Sequence, residues 1–192
     1  MNPSKILNFF FELGTMRNIV RSHSQFIAQA NDSLSDHSYR VTIIGMVLAK
    51  SEGADVNKVM KMCLFHDLAE VRTGDANYIN AQYTRRDEIA AITDQLTDIP
   101  NGEEILPLYQ EFERGESNEA IVTKDADVLD QIILQREYFG ADEKNHTIWY
   151  GHQLKRLQTD SAKKLAAEVK DANPFEWLYQ AAEDKTGKKL ER

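Results

Sequence analysis

The sequence predicts an all-α protein, a compact single-domain helical bundle, on three observations. Apolar residues recur at three- and four-residue spacing in most segments, the period of one helix face. Gly14, Gly53, Gly102 and Gly115 punctuate those segments at intervals that suit helices of ordinary length. No segment shows the strict alternation of a half-buried strand, and there is neither an internal repeat nor a low-complexity tract. A length of 192 residues favours one domain, residues 1–192, able to bury its core without disulfides.

The elements follow in order. Residues 4–13 are strongly apolar and end at Gly14, which predicts a short helix whose aromatic residues dock on the core or on a second subunit. A second helix is expected somewhere between Met16 and Ala30. Ser35 or Asp36 can cap a helix from His37 through Ala49, with His37, Val41, Ile44 and Leu48 on one face. After a turn at Glu52–Asp55, residues 56–70 read as a central helix in which Val59, Cys63, His66 and Glu70 share a face. Residues 73–78 are a loop by composition. Helices are then expected over 84–98 with Ile89, Ile92 and Leu96 inward, through Ile105, Leu108 and Phe112 up to Gly115, and from Asn118 to Phe139. The segment Ala141–Trp149 is ambiguous, Leu154–Val169 and Pro174–Ala182 read as helices, and Lys185–Arg192 as a charged tail.

Composition narrows the function. A hydrophobic fraction of 42% with 28% charged residues is that of a soluble globular chain, and no apolar run is long enough to span a bilayer. The start, Met1-Asn2-Pro3-Ser4-Lys5, lacks the pattern of a signal or transit peptide, so the cytoplasm is the expected compartment and no membrane partner is expected. A net charge of −8 with scattered Lys and Arg argues against a nucleic-acid polymer as partner. Cys63 is the single cysteine and falls on an apolar face, which reads as an inert core position.

The chemistry concentrates in Met62-Cys63-Leu64-Phe65-His66-Asp67-Leu68-Ala69-Glu70, where an imidazole and two carboxylates end an apolar run. Aimed at a core, such groups cost several kcal/mol unless they are paired or bind metal, roughly speaking. His37 and Asp127 are two further inward polar positions, on separate expected helices. Two imidazoles and two carboxylates from His37, His66, Asp67 and Asp127 suit one divalent ion, Mn²⁺, Co²⁺, Ni²⁺, Fe²⁺, Zn²⁺ or Mg²⁺, with positions left for water and substrate.

The order His, His-Asp, Asp on a helical chain resembles the HD-domain metal-dependent phosphohydrolases. More closely, Asp32-Ser33-Leu34-Ser35-Asp36-His37-Ser38, His66-Asp67-Leu68-Ala69-Glu70 with Gly74-Asp75, Arg85-Arg86-Asp87-Glu88-Ile89-Ala90, Lys124-Asp125-Ala126-Asp127 and Gln135-Arg136-Glu137-Tyr138 resemble the 5′-deoxynucleotidase branch. The motif-bearing core would span about 21–140, followed by C-terminal helices over 153–183. The resemblance implies metal ligation by His37, His66, Asp67 and Asp127, phosphate contact by Arg21, proton transfer by Glu70, and substrate contacts from Asp75 and the loop after it, Asn77 and Tyr78. It also implies a nucleotide substrate and a homodimer, for which the aromatic first helix is a candidate surface. Where the family commonly has Trp after the Arg, this chain has Ser22, so the resemblance does not carry the leaving-group side of the pocket across.

Other branches fit less well. No histidine lies between Asp67 and Asp127, whereas the two-iron oxygenases, the two-metal cyclic-dinucleotide phosphodiesterases and the deoxynucleoside triphosphate triphosphohydrolases need extra ones there. Guanosine tetraphosphate hydrolases have Glu-Asp where this chain has Glu70-Val71. The expected activity is removal of the 5′-phosphate from (deoxy)ribonucleoside monophosphates. The alternatives are a cyclic mononucleotide phosphodiesterase, a nucleoside triphosphate hydrolase, or a non-catalytic nucleotide-binding module.

Overall fold

A computed structural model describes residues 2–27, 30–139, 143–187 and 189. Its helices are α1 (Pro3–Gly14), α2 (Leu34–Glu52), α3 (Val56–Phe65), α4 (Glu70–Thr73), α5 (Tyr78–Tyr83), α6 (Glu88–Leu96), α7 (Gly102–Arg114), α8 (Asn118–Phe139), α9 (Glu143–Leu154), α10 (Asp160–Val169) and α11 (Glu176–Thr186). Among the described residues, β pairing is limited to one isolated antiparallel bridge, Val20 with Ser33. The all-α class expected from the periodicity is what the chain adopts.

Two apolar cores hold the bundle. In the first, α2, α3, α8 and α10 meet through buried Val41, Leu48, Val59, Cys63, Val122, Leu129, Ile132 and Ala166. In the second, Phe9 of α1 packs with Ile92 and Leu96 of α6, Ile105 and Tyr109 of α7, and Leu68 and Ala69. The turn after α3 therefore runs along the seam, with Cys63 in one core and Leu68 in the other. Burying Leu68 contributes about 1.5–3 kcal/mol, enough to hold the turn between the cores. Gly45 of α2 lies against α3, and a Cβ there would overlap Cys63 Sγ, so the glycine permits the close approach of these helices.

Several expectations are corrected. The span 56–70 is not one helix: α3 ends at Phe65, and His66 follows as its cap. Beyond it the amides of Leu68, Glu70 and Val71 bond back three residues, to Phe65, Asp67 and Leu68, which tightens the turn and opens the one-turn helix α4 at Glu70. Between Met16 and Ala30 there is no α-helix among the described residues, only short 3₁₀ turns at Thr15–Asn18 and Ser22–Gln25. β-branched Ile19 and Val20 are extended there; the Leu34 amide donates to the Ile19 carbonyl and the Arg21 amide to the Asp32 carbonyl. Residues 28 and 29 of that span lie outside the described residues.

α2 starts earlier than expected, because Ser33 caps it in a reciprocal box with Asp36. The bridge to Val20 fixes Ser33 in the extended conformation that a cap needs, and that is a tertiary contact. The loop at 73–78 leads into α5, capped by the Asn77 side chain, and the helix expected over 84–98 is confined to Glu88–Leu96. Ile89 faces outward at 44% exposure, whereas Ile92 and Leu96 are buried as expected.

Leu154–Val169 breaks after Leu154 because buried Asp125 of α8 accepts hydrogen bonds from the amides of Gln158 and Thr159 and from the Thr159 hydroxyl, which turns the chain and holds Thr159 where its side chain caps α10. Pro174 precedes α11 rather than lying in its first turn. The ambiguous segment 141–149 is helical from Glu143 onward; residues 141 and 142 lie outside the described residues, as do 188 and 190–192 of the charged tail.

Candidate active site

The site forms where α2, the turn after α3 and α8 converge, and the strand-like bridge brings Arg21 to it. His37 projects from the first full turn of α2 and His66 from the end of α3; both are nearly fully buried. Their Nε2 atoms face each other at 3.3 Å. Asp67 Oδ2 lies 3.4 Å from His37 Nε2 and 3.3 Å from His66 Nε2, and Asp127 Oδ1 lies 3.4 Å from His37 Nε2. His37, His66 and Asp127 each offer an atom within 4.8 Å of the others. The structure thus brings together all four expected ligands.

The opposite edge of each ring fixes what the facing nitrogens can do. His66 Nδ1 donates to the Cys63 carbonyl at 2.7 Å, and His37 Nδ1 donates to Asp130 Oδ2 at 2.7 Å. With Nδ1–H used in this way, both neutral rings present Nε2 lone pairs to the same point, beside two carboxylates. Converging electron pairs need a positive charge between them. Burial opposes charge on His37, but hydrogen bonds to Asp127, Asp130 and Asp67 outweigh it and raise its pKa well above the ordinary imidazole value. Burial also disfavours the Asp67 and Asp127 anions, yet the neighbouring imidazoles keep both pKa values below the usual carboxylate range, assisted at Asp67 by Arg21. A proton satisfies such a cluster in part, and a divalent cation suits the donor set of His37, His66 and Asp127, with the Asp67 carboxylate beside it.

Arg21 lies beside the cluster and is buried at 6% exposure. Its Nη1 donates to Asp67 Oδ2 at 2.9 Å and lies 3.7 Å from Glu70 Oε2, while its Nε lies 3.4 Å from Asp75 Oδ2. Burial works against the Arg21 charge, but Asp67, Asp75, Asp127 and Glu70 reverse the balance and raise its pKa. Arg21 Nε and Glu70 Oε2 are nevertheless buried without a hydrogen-bond partner, two polar atoms open to a ligand. Glu70 Oε1 accepts from Arg86 Nη1 at 3.3 Å, and that same nitrogen holds the Gly74 carbonyl at 2.6 Å. Burial, with the charges of Asp67 and Asp75, pushes the Glu70 pKa up to about 9.

These groups open into a pocket of about 630 Å³ that Arg21, Asp67, Glu70, Asp75 and Asp127 line, a size suited to a small molecule. Asp75 is held by the Ser22 amide at 2.8 Å and the Ser22 hydroxyl at 3.2 Å, so Ser22, at the position where the resembling family commonly carries Trp, here anchors a carboxylate. Asn77 and Tyr78 also line the pocket: Asn77 spends its carbonyl on capping α5 and donates its amide to Gln25, while Tyr78 is 81% exposed. Aromatic walls come from Phe26 and Trp149, whose rings meet edge to face with centroids 6.0 Å apart.

Sequence reasoning missed Asp130, Arg40, Arg86 and the Trp149 wall. A signal for Asp130 was present: it follows Asp127 by one turn within an apolar helix, so both acids share the inward face. Trp149 gave no such signal, since it reaches the pocket from a helix that the local pattern left ambiguous.

A family model described as an HD domain matches residues 13–173. The 5′-deoxynucleotidase HDDC2 of Dictyostelium discoideum is 32% identical over 152 residues, covering 70% of this chain and 78% of its own length. That of Homo sapiens is 28% identical over 145 residues, covering 72% and 71%. Among solved structures, a conserved hypothetical protein from Pyrococcus furiosus superposes with a TM-score of 0.72 at 26% identity, covering 86% of this chain and 99% of that one. A predicted metal-dependent phosphohydrolase from Magnetospirillum magnetotacticum shares the fold, with a TM-score of 0.69 at 20% identity, covering 88% of this chain and 93% of that one. With the family model spanning most of its length and the His, His-Asp, Asp set gathered at one point, this chain belongs to the HD domain family.

Proposed function

We propose that this chain is a metal-dependent phosphohydrolase that removes the 5′-phosphate from nucleoside monophosphates, with deoxyribonucleotides favoured. The observation that carries this reading is the juxtaposition of two carboxylates and two converging imidazole lone pairs with a buried Arg21 and a buried Glu70. The relatives named 5′-deoxynucleotidase support the substrate class.

His37, His66, Asp67 and Asp127 would hold one divalent ion, with Mn²⁺, Co²⁺, Ni²⁺, Fe²⁺, Zn²⁺ and Mg²⁺ all compatible with imidazole and carboxylate ligands. When bound, the ion supplies positive charge that polarises the phosphoryl group and makes a water more acidic. Arg21 binds the remaining phosphate oxygens, turning from the Asp67 and Asp75 carboxylates toward the more highly charged ligand. Water adds to phosphorus and the bond to the nucleoside 5′-oxygen breaks. Glu70 gives its proton to that departing oxygen, a role suited to a carboxyl whose pKa is raised by burial and by the charges of Asp67 and Asp75. Asp75, held by Ser22, accepts a hydrogen bond from a sugar hydroxyl, and Asn77 and Tyr78 border the sugar and base.

A homodimer belongs to the same proposal. Leu7, Phe10 and Phe11 of α1 are 52%, 58% and 72% exposed, an apolar surface that a second copy would cover.

The test is phosphate release by the metal-reconstituted protein from all ribo- and deoxyribonucleoside 5′-monophosphates, with triphosphates and cyclic mononucleotides alongside. Release of inorganic phosphate from monophosphates is expected. Turnover confined to triphosphates or cyclic substrates would replace this reading.

A further inference from the structure

His37 is held from behind by a chain of charged groups that runs to the surface. Asp130, on α8 one turn beyond Asp127, is 1% exposed. Its Oδ2 accepts from His37 Nδ1 at 2.7 Å, and its Oδ1 accepts from Arg40 Nε. Arg40 lies one turn beyond His37 on α2, and its Nη1 donates to both oxygens of Glu137, at 2.8 and 2.9 Å. Each member is thus set by helix spacing: His37 and Arg40 on one helix face Asp127, Asp130 and Glu137 on the other.

We propose that Asp130, clamped by Arg40 and Glu137, is a positioning residue that fixes the plane and the donor edge of the His37 ring so that its Nε2 lone pair is presented to a divalent cation. This rests on the metal-site reading of His37, His66, Asp67 and Asp127. A buried carboxylate is unfavourable unless its oxygens are satisfied, and Arg40 supplies what His37 leaves unmet. The Arg40–Glu137 pair alone would tie α2 to α8. α2 and α8 also meet through Val41, Leu48, Leu129 and Ile132, so the tie does not depend on Asp130; what Asp130 adds is an anionic acceptor on the ring edge opposite the cluster. Such an acceptor allows one hydrogen position and makes the far nitrogen a better electron donor. His66 has only the Cys63 carbonyl dipole in the same place, so the two ligands are unequal, and His37 is the stronger donor.

The experiment titrates chelator-stripped protein with Co²⁺ in a calorimeter and records the visible spectrum of the Co²⁺ form. Asp130→Asn keeps the shape but cannot accept from both the ring and Arg40. It should weaken Co²⁺ binding about 10- to 100-fold and alter the spectrum, while kcat recovers at saturating Co²⁺. Arg40→Gln, which alters a partly exposed residue, should shift affinity in the same direction by less, and it decides the question if the Asp130 variant does not fold. Wild-type affinity and spectrum in a folded variant, with only thermal stability lowered, would reduce the chain to a structural tie and overturn the inference. Failure of the wild-type protein to bind Co²⁺ would overturn the metal-site reading instead.

Discussion

The two imidazoles at the centre of this protein occupy opposite kinds of surroundings. His66 is built by its own stretch of chain: α3 ends at Phe65, the ring bonds a carbonyl three residues back, and the tight turn that follows delivers Asp67 and then Glu70. His37 is in an uninterrupted helix, and its ring is oriented by Asp130, 93 residues away in sequence. Local backbone geometry therefore positions one imidazole, and the packing of α2 on α8 positions the other. Sequence-local groups place the chemistry, and long-range groups tune its strength.

The largest effect expected from breaking this pair is loss of the site. His66→Ala or Asp67→Ala removes a ligand and should abolish both retention of a divalent ion and turnover, measured as metal content and phosphate release. Stoichiometric metal in either purified variant would show that the cluster is not the binding site.

Next comes Glu70, which the same turn delivers but which lies outside the ligand set. Glu70→Gln should keep bound metal while kcat falls roughly 10²- to 10⁴-fold. The pH profile carries a sign. A proton donor works while protonated, so activity should persist below the Glu70 pKa and fall as pH rises through it. Burial and two carboxylates raise that pKa to about 9, and a bound cation pulls it down from there. The alkaline limb should be present in the wild-type profile and absent from the Gln variant. An unchanged limb, or metal affinity lowered with kcat restored at saturating metal, would assign Glu70 to holding a ligand.

A smaller effect tests the spacing between the two helices. Gly45→Ala places a methyl group against Cys63 Sγ and should destabilise the fold by about 1–3 kcal/mol, read from denaturant unfolding. Adding Cys63→Ala should recover much of the loss, because the overlap is with that sulfur; simple additivity of the two would refute the contact as cause. The thiol itself, its pKa pushed up to about 12 by burial, should resist alkylation until the protein unfolds.

The smallest effect concerns the start of α2. Ser33→Ala removes the cap and should cost about 1 kcal/mol while leaving metal affinity within error, since His37 is held by Asp130 rather than by the helix start. A matching loss of affinity would mean that the two ligands depend on local structure alike.

Periodicity alone determined the all-α class, the span of α8 and the inward faces that carry His37, His66 and Asp127, because helix repeat and burial are written in neighbouring residues. The quartet of expected ligands was legible for the same reason: each acid or imidazole interrupts an apolar face where an unpaired polar group would be costly. Other features were decided only when the chain folded. The helix expected between Met16 and Ala30 gave way to 3₁₀ turns and an extended bridge because residues 19–21 found partners at 32–34, and that pairing is what carries Arg21 to the cluster. The break before α10 was imposed by Asp125 and the orientation of His37 by Asp130, each from across the bundle. A buried carboxylate acts through space on whichever backbone amides or ring nitrogens packing brings within about 3 Å, and local spacing holds no record of which those will be.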